Sequence, residues 1–323
     1  MTPTDRGWRG ARTAELSWRD GIPHSTRFDD TYFSRAGGPA ESQHVFLAGN
    51  KLPDRWAGAD TFTIAETGFG TGLNFLTTWQ AWRESGGGRL HYVSIEGYPL
   101  RKADLAVAVD GWREFPSLGA ALLQVYPPPL PGMHRLLFDR GSVCLDLLFL
   151  ELAPALDTLL EIPDLQVDAW YLDGFAPSCN PEMWNEDLYR AMSTLGRAGA
   201  SFATFTAAGD VRRGLAAAGF GVEKVRGFAG KRDMLRGSLA EPPGGPAPAQ
   251  TPWHLPRHRY PHAASGRPLG ANGKPDSVLV VGAGLAGSAV ADAIARRGVP
   301  VTVLEQDRVG AGASGNNQGT LYT

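Results

Sequence analysis

Cysteine is scarce in this chain: there are two in 323 residues, Cys144 and Cys179. They form neither a CxxC pair nor a disulfide framework, and packing is the simplest place for both. The seven histidines show no HxxxH or HExxH spacing. A structural zinc site is therefore not expected, and a metal-free chemistry is. Long apolar runs are missing too. No stretch approaches the ~20 residues that span a bilayer. The polar start, MTPTDRGWRGARTAELSWRDG, lacks the apolar centre of a signal peptide. The expectation is a cytoplasmic, monomeric chain with no membrane partner. Nor does charge of one sign prevail. A formal net charge of -2 and a pI near 6.4 argue against a protein that coats nucleic acid non-specifically. A local basic face remains open. Arg212, Arg213, Lys224, Arg226, Lys231, Arg232 and Arg236 cluster late enough to form one, or to be ordinary solvated surface.

What is present suits a soluble globular protein: 43% hydrophobic and 20% charged residues, in a length fit for about two domains. The clearest boundary is the Pro/Gly/Ala-rich stretch 241–276, whose composition makes an extended tether. It separates a body, 1–240, from a short C-terminal piece, 277–323. Within the body, strand-like and helix-like runs alternate. Strands are predicted over 61–66, 90–96, 167–175 and 200–206, with helices over 72–85, 101–112, 181–196 and 208–219. The last-but-one helix is expected to open on Pro181. Residues 134–139 and 143–149 read as a hairpin turning at Arg140-Gly141, and FGVEKVRGF and RDMLRGSL as final strands. Such alternation predicts an α/β fold with a mostly parallel sheet covered on both faces.

In such sheets ligands bind beyond the carboxyl ends of the strands. The stretch FTIAETGFGTGLNFL puts Glu66, Gly68, Gly70 and Gly72 at that position. The spacing E-x-G-x-G-x-G differs from the dinucleotide pattern G-x-G-x-x-G. A leading acid suits a cationic or hydroxyl-bearing ligand, whereas a pyrophosphate wants a helix N-terminus close by. Glu96 ends the next strand, where nucleotide sites place a carboxylate for the ribose hydroxyls. Together they suggest S-adenosylmethionine: an adenosine, no phosphate and a positive sulfonium. Each acid alone would read as a strand-end carboxylate facing water.

FDDTYFS (28–34), HVFLAGNKL (44–52), ETGFGTGLNFL (66–76), SIEGYPL (94–100), DAWYLDGFAPSCNPEMW (168–184), ATFTAAGDVRRGLAAAGF (203–220) and GFAGKRDML (227–235) occur in order. Over about residues 15–240 they resemble the methyltransferase half of the bifunctional tRNA 5-methylaminomethyl-2-thiouridine biosynthesis family. The resemblance implies a Rossmann-like methyltransferase domain over 1–240 that acts on the wobble uridine of tRNA. It would transfer a methyl group from S-adenosylmethionine to the amine of 5-aminomethyl-2-thiouridine. The family's flavin half first removes a carboxymethyl group with FAD. One departure stands out: after the strand at Val143 the family carries Gly-Asp near the adenine, and Leu150-Glu151 stands here. Glu151 replaces that aspartate one methylene longer, or the contact is lost.

WYLDGFAP delivers Asp173 and Phe175 to the same sheet edge as the glycines. An aminomethyl group is protonated at neutral pH, so a carboxylate beside it can orient it and take its proton. Asp173 is the first candidate for that role, and Phe175 for stacking on an unstacked base. The plainer readings are an Asp-Gly turn and a core ring. Asp30 and Tyr32, with Asp29 and Phe33, lie far upstream and are candidates for closing over the site, as is Asn50.

The C-terminal piece SVLVVGAGLAGSAVADAIARRGVPVTVLEQD is a complete βαβ pattern. Gly282, Gly284 and Gly287 give G-x-G-x-x-G, and Glu305 ends the second strand where it can meet an FAD or NAD ribose. Residues 310–323 resemble the flavin-facing loop of glycine-oxidase-like proteins. A fold of that type needs roughly 250 further residues, so residues 277–323 as given are expected to bind no flavin. The competing readings are a small-molecule amine methyltransferase with the same core and a tRNA-binding module whose methyl site has decayed. A dinucleotide oxidoreductase is disfavoured by the first glycine spacing.

Overall fold

The structure, a computed structural model, describes residues 12–34, 37–85, 88–162, 165–240 and 275–312. The chain forms two compact units. The tether expected over 241–276 lies, up to residue 274, outside the described residues, as does the loop beyond residue 312.

The first unit opens with a small antiparallel sheet of β1 (Leu16–Arg19), β2 (Ile22–Ser25) and β3 (Asp30–Thr31). A short α1 (Gly38–Ser42) runs into one wide π-type turn over Gln43–Ala48. The main elements follow: β4 (Thr61–Thr67), α2 (Leu73–Ser85), β5 (Arg89–Ile95), α3 (Lys102–Asp110), α4 (Pro116–Val125), β6 (Gly132–Phe138), β7 (Val143–Phe149) and α5 (Leu152–Glu161). Then come β8 (Val167–Leu172), α6 (Glu186–Leu195), β9 (Gly196–Thr204), α7 (Gly209–Ala217), β10 (Phe220–Arg226) and β11 (Asp233–Leu239).

Eight strands make one sheet in the order β10-β11-β9-β8-β4-β5-β7-β6. β4 is parallel to β5 and to β8, and β8 to β9, whereas β11 runs antiparallel to both β9 and β10. The sheet is thus mixed rather than mostly parallel. The returning β11 is inserted between β9 and β10, because RDMLRGSL follows β10 across a turn too short for a crossover helix. β4 sits where the connections switch direction, with β5 to one side and β8 to the other. That switch point is where open α/β sheets leave a crevice.

The central strands are buried along almost their whole length because both faces are covered. All seven residues of β7 are buried, and six of seven in β4. Helices α1 to α4 pack among themselves, as do α5 to α7. Alternation then assigns the side chains of each strand. Trp170 and Leu172 of β8, with Val93 and Ile95 of β5, join α5–α7 in one buried cluster. Tyr171 points the other way, stacking on Phe46 at 5.2 Å and meeting Thr78 of α2 at 3.2 Å. Asp173, two residues beyond Tyr171, continues toward the α2 side.

The helix expected over 181–196 is corrected. Pro181–Met183 form only a 3-10 turn, and α6 starts after Asn185, whose Oδ1 accepts from Leu188 N at 2.9 Å. A capping Asn beats a Pro-led start because it satisfies a helix donor that proline leaves open. Asn185→Ala should cost about 1 kcal/mol, lowering the melting midpoint by about 2–4 °C for a chain of this size. Calorimetry checks this; an unchanged midpoint would show that the cap contributes nothing.

The second unit holds a parallel pair, β12 (Val278–Val281) and β13 (Val301–Leu304), joined by α8 (Leu285–Arg296). This is the βαβ unit expected from the sequence. A Cβ on Gly287 would lie 1.9 Å from Gly282 O, so only glycine lets the helix close on the loop. Gly284 stands at the N-cap of α8. The Glu305 carboxylate accepts from Ala283 N at 2.7 Å, Gln306 N at 2.9 Å and Asp307 N at 3.3 Å. Those backbone donors, Ala283 N first, hold its pKa below the ordinary glutamate range.

Candidate active site

The ends of β4, β5 and β8 open into a cavity of about 840 Å3. Gly68, Gly70, Glu96, Glu151, Asp173, Phe175, Asp30 and Tyr32 all line it. Residues separated by more than a hundred positions therefore meet. Gly68 has φ +80, and a Cβ there would lie 3.0 Å from Gly174 Cα. Thr67 Oγ1 donates to Asp173 O at 2.8 Å. The glycine loop and the Asp173 turn touch backbone to backbone, and the absent side chains leave that space open.

Glu96 is half-buried and tied to the loop it follows. Its Oε2 accepts from Gly70 N at 2.8 Å and its Oε1 from Tyr98 N at 2.7 Å. Burial pushes its carboxyl up, and the two backbone donors oppose the shift. Spare lone pairs on both oxygens face the cavity as hydroxyl acceptors. Glu151 lies at the start of α5, its side chain 63% exposed and 3.8 Å from Arg12. It is near enough to Gly97 to wall the same end, since a Cβ on Gly97 would lie 3.6 Å from Glu151 Cα.

Glu66 and Gly72 are placed differently. Glu66 is 1% exposed and does not line the cavity. Its Oε1 accepts from Asn74 Nδ2 at 2.9 Å and its Oε2 from Ser94 Oγ at 2.6 Å, Ser94 being its neighbour across the β4–β5 register. Burial pushes its carboxyl up to about 8. Gly72 is packed on Phe69 and Leu122, where a Cβ would come within 2.9 Å of the Phe69 ring. It serves the entry into α2 rather than the cavity wall. Asn50 is fully buried away from the cavity, donating to Phe46 O at 2.9 Å and accepting from Ser201 Oγ at 2.5 Å.

Asp173 lies at the cavity floor. Its Oδ2 accepts from Asn74 Nδ2 at 2.6 Å and its Oδ1 from Gly174 N at 2.8 Å. Desolvation pushes its carboxyl up to about 7, against the two hydrogen bonds. Across the cavity Lys231 pairs with Glu41 at 2.9 Å and lies 4.6 Å from the Phe205 ring centroid. Neither Asn74 nor Lys231 was singled out for the site from the sequence. Asn74 looks there like one more polar residue on a helix, and only the junction of β4 and β8 reveals its neighbours.

The β1–β3 segment closes the cavity from above. Asp30 Oδ2 accepts from Ala176 N at 3.0 Å. Phe28 stacks on Phe175 at 4.8 Å, and Tyr32 meets the same ring edge-on at 5.2 Å. The Phe175 ring is thus already engaged by protein on one face. Asp29 points out, 90% exposed, beside His24.

Two further groups of side chains engage in charge pairing. His91, Cys144 and Asp146 bring their donor atoms within 4.8 Å of one another. Arg135, however, donates to both Asp146 oxygens at 2.7 and 2.6 Å, and His91 Nε2 lies 2.7 Å from one of them. Burial alone would push Asp146 up; the bonds from Arg135 and His91 outweigh it and hold the carboxyl at about 2. Of the seven late basic residues, Arg213, Lys224, Lys231, Arg232 and Arg236 each face an acid within 4 Å.

Comparison with known proteins adds a family to this geometry. Residues 113–240 match the family described as S-adenosyl-L-methionine-dependent methyltransferase, and residues 277–323 the family described as FAD dependent oxidoreductase. Two relatives named tRNA 5-methylaminomethyl-2-thiouridine biosynthesis bifunctional protein MnmC are similar over nearly the whole chain. The Chromohalobacter salexigens protein is 48% identical over 95% of this chain and 43% of its own length. The Chromobacterium violaceum protein is 47% identical over 96% of this chain and 45% of its own. The chain therefore spans less than half the length of these relatives. A solved structure titled MNMC2 from Aquifex aeolicus shares the fold, with a TM-score of 0.55 at 21% identity over 76% of this chain and 74% of that one.

Proposed function

The chain belongs to the family of the tRNA 5-methylaminomethyl-2-thiouridine biosynthesis bifunctional proteins, and on that premise we propose that its first unit methylates the amine of 5-aminomethyl-2-thiouridine in tRNA. The observation that carries this reading is the shared cavity. A bare loop at Gly68 and Gly70, an acceptor at Glu96 and a carboxylate at Asp173 open into one space.

The residues fit S-adenosylmethionine by their chemistry. Glu96 offers acceptors for ribose hydroxyls, Gly68 and Gly70 admit the ligand against backbone, and Glu151 stands at the adenine end. When bound, the cofactor supplies an electrophilic methyl group. Asp173 then has three tasks: it attracts the aminomethyl cation, holds the nitrogen lone pair toward the donor, and takes the proton that must leave before nitrogen can form a bond. Positioning contributes the larger part of the rate. Asp30, Tyr32 and Phe175 wall the side where the base enters. In the second unit, Gly282, Gly284, Gly287 and Glu305 have the arrangement that receives an FAD adenosine and pyrophosphate.

The test is direct. Incubating the protein with methyl-labelled S-adenosylmethionine and tRNA from cells deficient in this methylation should add one methyl to 5-aminomethyl-2-thiouridine, read by nucleoside mass spectrometry. Transfer to the free nucleoside at the same rate would favour the small-molecule amine methyltransferase. Binding of tRNA with no binding of S-adenosylmethionine would favour the decayed module.

A further inference from the structure

We infer that Asn74 and Glu66 form a positioning pair for Asp173, acting through hydrogen bonds that fix the plane of its carboxylate. The inference rests on the reading of Asp173 given above and extends it to Asn74, which lines the cavity beside it, and to Glu66, buried behind the wall.

The geometry begins with strand alternation. Glu66 is the last residue but one of β4 and Asp173 follows β8, and both turn toward α2. Two carboxyls pointing into one buried space would repel each other if both were ionised. Asn74, on the first turn of α2 and 6% exposed, stands between them. Its amide carries two hydrogens and gives one to each side: 2.9 Å to Glu66 Oε1 and 2.6 Å to Asp173 Oδ2. With both hydrogens spent, the amide cannot turn without leaving a buried acceptor unpaired, which costs about 1–3 kcal/mol. Ser94 fixes the far oxygen of Glu66 at 2.6 Å, so the chain Ser94–Glu66–Asn74–Asp173 is continuous.

Glu66 acts in this chain as a neutral acid. It has no open path to ligand or water, and its environment favours the protonated form at neutral pH. A neutral carboxyl still accepts from Asn74 at Oε1, with the Ser94 hydroxyl turned to accept the acid proton from Oε2 across the 2.6 Å contact, and it adds no second negative charge beside Asp173. The charged groups facing Asp173 are Glu41 of α1 and Lys231, ahead of β11, which pair with each other; Glu66 faces it from β4. Tyr92 of β5 and Tyr171 of β8 face Glu66 and stay protonated through burial.

Four variants test the pair: Asn74→Leu, Glu66→Gln, Glu66→Leu and Asn74→Leu combined with Glu66→Leu. Glutamine reproduces the neutral acid, since its oxygen accepts from Asn74 and the Ser94 hydroxyl can turn to accept from its nitrogen. Glu66→Gln should keep at least half of the wild-type kcat at pH 8. Asn74→Leu should lose 10- to 100-fold in kcat, with the KM for S-adenosylmethionine changed less than threefold. Its acid limb should move up in pH, because the lost hydrogen bond favoured ionised Asp173. The double variant should be no slower than Asn74→Leu, as for residues that act as one unit. Glu66→Gln as damaged as Glu66→Leu would overturn the proposal, because a charged ligand role would then be required. So would Asn74→Leu with a wild-type rate and pH profile. Carbon-13 NMR titration of the Asp173 carboxyl, assigned with Asp173→Asn, gives a readout independent of turnover. An unmoved midpoint in Asn74→Leu also sinks the pair. If wild-type protein methylates no tRNA while the midpoint moves by half a pH unit or more, the proposed substrate fails and the pair stands.

Discussion

Asp173→Asn is expected to lower methyl transfer by about 10²–10⁴-fold, the range for a lost general base. The substitution keeps the size of the side chain and an oxygen that can accept from Asn74 or Gly174. What it removes is the charge that attracts the aminomethyl cation and the site that takes its proton. Wild-type turnover should rise with pH through about 7, as the Asp173 carboxyl ionises. The variant should lack that limb. Its stability should move the other way. Asp173 binds its proton more tightly folded than unfolded, so the wild-type fold loses stability as pH rises from about 4 to about 7. Asparagine carries no such penalty. The variant should therefore melt higher than wild type at pH 8, with the gap closing toward pH 4. Label incorporation and calorimetry at both pH values check the pair of effects, and turnover equal to wild type would remove Asp173 from the mechanism.

Gly68→Ala should be nearly as damaging, through geometry alone. Its φ of +80 is a conformation that costs a residue with a Cβ about 1–3 kcal/mol. The added carbon would also lie 3.0 Å from Gly174 Cα and 3.1 Å from Gly174 N. Those are backbone atoms, so the Asp173 turn has to move. A displacement of about 1 Å at a reacting group can cost 10²-fold in rate. Gly58→Ala separates strain from contact: Gly58 has φ +74, yet nothing lies within 4 Å of its added Cβ. Both variants should melt below wild type, but only Gly68→Ala should lose methyl transfer and weaken S-adenosylhomocysteine binding in calorimetry. Full activity in Gly68→Ala would show that the two turns need not touch.

The centre of the first unit was legible because its chemistry is written at strand ends. An apolar run closed by Glu66 and glycines, and another closed by Asp173-Gly174, mark the crevice without a structure. Most predicted elements there end within a residue or two of those observed, but the strand predicted over 167–175 stops at Leu172, that over 200–206 begins at Gly196, and the helix over 181–196 starts at Glu186. The periphery was hidden for physical reasons. β1 to β3 are two to four residues each and half-polar, too short for alternation to register. α4 begins on a proline between Phe115 and the proline run at 127–129, and α5 carries Pro154 in its first turn. Each reads as loop until packing on neighbouring helices is known. Roles shared across long separations were also out of reach. The engagement of Phe175 by Phe28 spans most of the first unit, and no local pattern encodes it. The Glu66 position was legible as important, but whether its oxygens face a ligand or Asn74 is decided by the β4–β8 register.

The Phe28–Phe175 contact bears on how an incoming base would be discriminated. A pyrimidine that takes the Phe28 face of Phe175 exchanges one ring for another instead of covering a bare surface. An aromatic pair is worth about 0.5–1.5 kcal/mol beyond its burial, and a base on an aromatic side chain about 1–3 kcal/mol. The difference, on the order of 1 kcal/mol, amounts to less than tenfold in occupancy and is similar for every pyrimidine. Ring overlap alone would therefore hold any of them weakly, leaving selection to the substituent that reaches the carboxylate floor.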